Sequence, residues 1–458
     1  MKKTKTTADE NNGITVVIPA YGPVSTVNHS VSSALDNYTG NKDDTASMLN
    51  IEVLIMADDI EYQKEHDGAS QYDYFITKEY QQAYDMTRKS VRVIHNLERY
   101  GDHIYQGGGR IFGLYLATYK WIVWFDCDDT LAPSALSEYW DIIRKENPRC
   151  PIFRIGNSFL SFDSNGYRKD VGHSIWVQAW CRNRDFYKKF NLTDATIYAN
   201  KVNRKQGEDY LAEQIACYCF DHNRATEETI KAGDMTKWQE ININGGKDST
   251  PCGFWWPNHD SLSRQDIYYG QHLAGSTMSS SMTIINFMKK YNEENGITQQ
   301  EDEAFKHRLL NMVIYSYFNL ADFLKTVSFS NKVHEFNMQA PVGYKPLEQD
   351  WILLRDNCAA LRKELLTYYD EIQDQDVTDE LFRVRHQSDC RCCNVWFGSF
   401  QEYMKEEHTI LNMDYWEMLD YCAKLDWDNG AVNEIHSKQF TAFIARKNNE
   451  RPTEKDSV

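Results

Sequence analysis

The first part of the chain carries four short apolar runs, each closed by a polar or glycine-rich turn. They lie at 14–19 (ITVVIP), 51–57 (IEVLIMA), 91–95 (VRVIH) and 121–125 (WIVWF). Helical spacing of apolar positions fills the gaps, over 24–35, over parts of 61–88 and over 110–118. Near-continuous apolar runs suit strands buried on both faces, and their alternation with helices predicts parallel strands in an α/β/α sandwich. In such sheets ligands bind outside the carboxyl ends of the strands, so the loops after these runs are where chemistry is expected.

The pattern then continues with a helix over 133–145, strands between 152 and 177 with a polar turn at 163–166, and helices over 184–190 and 209–219. Residues 242–257 read as a loop. After about residue 296 the texture changes to charged amphipathic helices, over 302–327, 351–369, 400–407 and 415–425. This divides the chain into a first domain over 13–295, a mainly helical accessory or acceptor domain over 296–447, and a polar flexible tail over 448–458.

Composition narrows the class. The 458 residues hold 50 Lys and Arg against 67 Asp and Glu, a net charge of −17. Such a chain does not coat nucleic acid or anionic membrane by bulk charge, although a local basic groove is compatible with it. No run approaches the roughly 20 apolar residues needed to span a bilayer, and the start lacks an apolar leader. With 11 scattered cysteines, this reads as a cytoplasmic protein with reduced thiols. The 28 Tyr and 12 Trp offer stacking surface, though core packing is their commoner use.

Four constellations carry candidate chemistry. Asp126-Cys127-Asp128-Asp129 follows the run WIVWF directly. Three carboxylates in four residues repel one another, and a divalent cation with hard oxygen ligands, Mg²⁺ or Mn²⁺, would offset them. The same run also reads as a solvated acidic turn before the next helix. Gly107-Gly108-Gly109-Arg110 reads as a turn just before a helix, where backbone can approach an anion closely. Asp58-Asp59 ends the second run and either caps the following helix or accepts hydrogen bonds from a base or ribose. Gly207-Glu208-Asp209 opens a helix, as dipole-favoured acidic residues or as a general base facing a cleft. The cluster His386, Cys390, Cys392 and Cys393 lacks a second CxxC pair and reads as thiols without zinc. No GxSxG motif occurs.

In this order, over about residues 14–264, the motifs VVIPAYG, IEVLIMADD, GGGRIFGLYLATYKWIVWFDCDD and GEDYLAEQ resemble those of family 2 glycosyltransferases of the GT-A fold. That resemblance implies a Rossmann-like α/β/α nucleotide-diphospho-sugar transferase with an inverting mechanism, a divalent cation (Mn²⁺ or Mg²⁺) and a nucleotide-sugar donor, a UDP-sugar. Pro19 and Tyr21 would line the base pocket, and Asp58 or Asp59, with Asp58 preferred, would bind the base. Arg110 would reach the base or diphosphate. Asp126 would face the ribose or sugar, Asp128 would ligate the metal beside it, and His259 would complete the metal site. Asp209 would act as catalytic base with Glu208 as its near substitute, and Trp176 would sit near the acceptor. Ile111 departs from the family, which often has Asn there.

The resemblance points to an acceptor glycan in polysaccharide or glycoconjugate synthesis. A bacteriophage-like Tyr, Asp and Lys texture keeps open an alternative, glycosylation of hydroxymethylated pyrimidines in DNA. Two other classes are weighed: a non-catalytic sugar-nucleotide-binding protein, which would break DCDD or GED, and a nucleotidyltransferase, which favours a basic Gly-rich loop after the first strand, where AYGPVST has none.

Overall fold

A computed structural model describes residues 12–20, 24–40, 48–58, 68–77, 87–95, 105–146, 152–155, 158–162, 168–173, 180–190, 208–224, 240–241, 253–255, 277–327, 348–368 and 409–424. The chain divides into two compact units, Met1–Asn258 and His259–Val458.

The first unit is built on a seven-stranded sheet. Its strands are β1 (Gly13–Ala20), β2 (Asn50–Ala57), β3 (Lys89–His95), β4 (Trp121–Trp124), β6 (Ile152–Ile155), β9 (Trp180–Asn183) and β10 (Glu240–Ile241), in the spatial order β10-β6-β9-β4-β1-β2-β3. The four apolar runs are neighbours in it, parallel to one another, with β3 last in the order. β1 pairs β2 from Gly13↔Asn50 to Ala20↔Ala57 and β4 from Ile14↔Trp121 to Val17↔Trp124, and β2 pairs β3 in parallel. Val16, Val17, Ile18, Val53, Leu54, Ile55 and Trp124 are fully buried, as strands covered on both faces require.

Not every strand is parallel. β9 runs antiparallel to both neighbours, β4 and β6. The described element before it is a strand, β8 (Arg168–His173), and not a crossover helix, so nothing enforces a parallel return. A second, four-stranded sheet has the order β5-β11-β7-β8, with β5 (Thr130–Leu131), β7 (Ser158–Phe162) and β11 (Gly253–Trp255). β11 lies within the stretch read from sequence as loop; pairing with β5 and β7 makes it a strand.

Six helices of this unit are α1 (Val24–Leu35), α2 (Gln71–Thr77), α3 (Tyr105–Leu116), α4 (Ala135–Glu146), α5 (Arg184–Lys189) and α6 (Glu208–Arg224). The Gly107-Gly108-Gly109 run is not a turn before a helix: it lies inside the first turns of α3. The reason is close packing. A Cβ on Gly109 would lie 3.1 Å from the Pro19 Cβ and 3.6 Å from the Met56 Cβ, and one on Gly113 would lie 2.2 Å from Val17 Cγ1. Glycines four apart thus let α3 settle onto β1 and β2.

The far end of α3 is tied by two arginines. Arg92 donates to the Leu116 carbonyl at 3.1 Å, and Arg184 Nη1 donates to the Ala117 and Thr118 carbonyls at 2.7 Å each. Cations suit a helix C-terminus, where carbonyls lack helical partners. Beneath them the buried Glu52 accepts from Thr15 Oγ1, the Thr118 backbone N–H and Thr118 Oγ1, each at 2.7 Å, and pairs with Arg92 at 2.8 Å. A carboxylate at 1% exposure is tolerable only with this many donors.

The second unit is helical where described: α7 (Thr277–Asn295), α8 (Glu303–Val327), α9 (Glu348–Tyr368) and α10 (Tyr415–Lys424). α7 was not expected from the sequence. Asp302 caps α8 by accepting from the Ala304 and Phe305 N–H groups at 3.0 and 3.1 Å, while Asn292 of α7 donates to its other oxygen at 2.8 Å. Trp351 of α9 stacks on Phe323 and donates to the Met413 carbonyl at 3.1 Å. Among the described residues no helix is long and apolar enough to cross a membrane. His386, Cys390, Cys392 and Cys393 lie outside the described residues.

Candidate active site

Strand order places the site. From β1 the chain steps outward to β2 and β3, then returns to lay β4 on the other side of β1. That reversal is a topological switch point, and the crevice beyond the carboxyl ends of β1 and β4 is where open α/β sheets bind ligands. Phe125 extends the β4 ladder by donating its N–H to the Val17 carbonyl at 2.9 Å. The next residue, Asp126, therefore emerges at the switch point.

Arg110 meets it there. The Arg110 guanidinium and the Asp126 carboxylate form an ion pair, with Arg110 almost fully buried and Asp126 about one-fifth exposed. Gly109 makes this possible, since its missing side chain lets α3 sit against Pro19 and Met56 at the ends of β1 and β2. The pair also changes the electrostatic reading of DCDD, because a guanidinium of the chain itself offsets one of the three carboxylates.

The turn after β4 is held from α1. Ser30 Oγ donates to the Asp129 carbonyl at 2.7 Å, and Ser33 Oγ accepts from the Leu131 N–H at 3.1 Å. Asn37 Oδ1 accepts from the Leu136 N–H at 2.9 Å, and the Tyr38 N–H donates to the Pro133 carbonyl at 2.9 Å. Asp129 is buried, whereas Asp126 and Asp128 are only partly so. The run thus splits into one interior carboxylate and two that are partly exposed. Among the described residues no group of three or more His, Cys, Asp and Glu side chains converges as a ready metal-ligand set.

The other expected residues fall as follows. Pro19 is buried at the end of β1. Asp58 is 5% exposed just past β2, its N–H donating to the Ala20 carbonyl at 3.4 Å, so it sits beside the end of β1. Glu208 and Asp209 open α6, but their side chains are outside the described set, as are Tyr21, Asp59, Trp176 and His259 altogether. The carboxyl-end residues Asp58 and Asp126 and the helix residue Arg110 therefore share one edge of the sheet.

Sequence reading missed the partners of α6. Arg182 of β9 is fully buried; its Nη2 donates to Glu213 Oε1 of α6 at 2.7 Å, and its guanidinium lies 3.8 Å from the ring centroid of Trp124, the last residue of β4. Arg182 and Glu213 are 31 residues apart, and no local pattern links them. Ser30 did leave a signal: it occupies the same helical face as Val27, Val31 and Ala34, where a solvated serine has no place.

Residues 15–206 match the model of glycosyl transferase family 2. The match ends just before Glu208. No curated protein sequence matches the chain. Among solved structures, S. aureus TarS 1-349 in complex with UDP is 10% identical over 79% of this chain and 92% of that one, with a TM-score of 0.34. The mannosyltransferase PcManGT from Pyrobaculum calidifontis, in complex with GDP-Man and Mn²⁺, is 10% identical over 59% of this chain and 64% of that one, with a TM-score of 0.35. With the mostly parallel sheet, its switch-point carboxylate and the helical remainder, residues 15–206 form a glycosyl transferase family 2 domain, and the chain is a glycosyltransferase enzyme.

Proposed function

We propose that the enzyme moves a sugar from a UDP-sugar to an acceptor hydroxyl, with inversion, in the synthesis of a polysaccharide or glycoconjugate. The observation that carries the reading is the Arg110–Asp126 pair at the switch point. It puts a cation and an anion where a sugar nucleotide would lie.

Asp126 and Asp128 would supply the hard oxygen donors that suit Mn²⁺ or Mg²⁺, with donor phosphates and water as the further ligands. When bound, such an ion neutralises charge on the departing diphosphate. The remaining roles belong to the chain. Pro19 and Tyr21 flank the base, and Asp58, rather than Asp59, accepts from it. Arg110 holds the nucleotide through its charge. Asp209, with Glu208 beside it, takes the proton of the acceptor hydroxyl. The acceptor oxygen then bonds to the anomeric carbon from the face opposite the leaving group; the bond from that carbon to the phosphate oxygen breaks, and UDP departs with the electron pair. Trp176 stacks against the acceptor, and the helical region over 296–447 serves acceptor choice.

Calorimetric titration with UDP, GDP and CDP, each with Mn²⁺, tests the donor; tighter binding of GDP than UDP rejects the base assignment. Chelator should abolish turnover and added Mn²⁺ restore it, and full activity in excess chelator rejects the metal. Release of pyrophosphate in place of UDP would make the enzyme a nucleotidyltransferase. An acceptor screen that finds transfer to hydroxymethylated DNA, and none to glycans, replaces the polysaccharide reading.

A further inference from the structure

Arg182 belongs to no motif, yet it is a fully buried charge in contact with two elements of the first unit. It sits on β9 opposite Ile122 of β4 and Ile152 of β6. Its guanidinium covers the Trp124 ring at 3.8 Å and bonds Glu213 of α6 at 2.7 Å. A buried ion pair is weak evidence for stability, because well-packed apolar residues often serve as well. What it supplies is a fixed geometry between the groups it joins.

Those groups flank the chemistry. Trp124 ends β4 two residues before Asp126. Glu213 lies four residues after Asp209, one turn along α6. Holding the Glu213 turn fixes the backbone of the turn that opens with Glu208 and Asp209. We infer that Arg182 is a positioning residue for sugar transfer, bracing the start of α6 against the end of β4 so that the Asp209 turn and the Asp126 turn keep one spacing. This rests on the proposed role of Asp209 as base.

The test uses the full-length enzyme with Mn²⁺, and whichever of UDP-glucose, UDP-GlcNAc and GDP-mannose the wild type hydrolyses fastest. Glu213→Gln keeps the volume and removes the charge. The paired variant Arg182→Met with Glu213→Leu keeps the packing and should melt close to wild type. Both should lose roughly 10- to 100-fold in kcat, the scale of a small misplacement of reacting groups, with KM and UDP affinity within about twofold. In an Asp209→Asn background, Glu213→Gln should add less than about twofold, because the brace then has no base to place. Unchanged kcat in a stably folded paired variant overturns the role of Arg182, as does a kcat loss of equal size in the Asp209→Asn background. Full turnover in Asp209→Asn alone overturns the base assignment and this role together; a large loss there with normal kcat in Glu213→Gln overturns only the role of Arg182.

Discussion

Arg110 and Asp126 pair at the carboxyl edge of the sheet, one residue from a helix and the other from the turn after β4. The pair ties the glycine-rich helix to the acidic turn, so the two strongest local motifs of the chain act as one structural unit.

Removing Arg110 should therefore do two things. Arg110→Met leaves Asp126 beside Asp128 without its guanidinium, and breaking a largely buried pair should destabilise by about 2 kcal/mol or more. UDP affinity should fall by at least roughly tenfold, since a charged contact to phosphate is lost. Arg110→Lys should recover part of the stability and less of the affinity, because an ammonium lacks the planar fork. Chemical denaturation and calorimetry on the same proteins check both parts; normal UDP affinity in Arg110→Met would remove Arg110 from the donor site.

Packing gives an independent prediction. The Cβ added by Gly113→Ala would fall 2.2 Å from Val17 Cγ1, and α3 has Arg92 and Arg184 fastened to its far end. Relief by sliding is therefore restricted, and destabilisation of about 1–3 kcal/mol is expected. Adding Val17→Ala opens the space and should restore most of the loss. A denaturant midpoint for Gly113→Ala equal to wild type would mean that α3 rides higher on the sheet than described.

Tyr119 makes the interior sensitive to alkali. Burial pushes its phenol above the usual tyrosine range; Glu52 pushes the same way, and Arg88 opposes. In the unfolded chain the phenol ionises near about pH 10, while in the fold it keeps its proton to higher pH. Between those points unfolding releases a proton, so the contribution of Tyr119 is intact below about pH 10 and declines as pH rises through the folded value. Tyr119→Phe should flatten the loss of stability between about pH 9 and 11. Parallel curves for the two proteins, from denaturant titrations across that range, would show that the phenol does not contribute.

The two scales of information in the chain explain what was legible. The runs 14–19, 51–57 and 121–125 announced β1, β2 and β4 because strands buried on both faces must be apolar throughout, and the run 91–95 announced β3, which is only half-buried at the end of the strand order. Asp126 and Asp128 stood out because carboxylates seldom crowd a strand end without cause. Gly107–Gly109 misled because glycine lowers helix propensity, while the packing that demands Gly109 and Gly113 involves Val17 and Pro19, far away in sequence. The direction of β9 depends on how the chain arrives, and the Arg182–Glu213 pair on where α6 lands; neither leaves a local pattern. α7 was obscured by its buried Ser280 and Ser281, polar letters at interior positions.

Asp209 decides whether the first turn of α6 is chemical or merely structural. Both readings accept an acidic residue there, since the helix start favours negative charge and keeps a carboxylate ionised. They part over what its loss does. A purely structural role, a negative charge in the first turn of the helix, predicts that Asp209→Asn costs about 1 kcal/mol or less and leaves turnover nearly intact. Base catalysis predicts a fall of roughly 10² to 10⁴ in rate with UDP affinity unchanged, because the donor is held by other residues. Glu208→Gln serves as the neighbour control: a deeper loss there than in Asp209→Asn moves the base by one position. The anomeric configuration of the product, read by NMR, is independent of both variants. A single displacement assisted by a base must invert, so a retained configuration would exclude Asp209 from that role even if its substitution were costly. An inverted product with an inactive, stably folded Asp209→Asn leaves the base as the reading that accounts for both results.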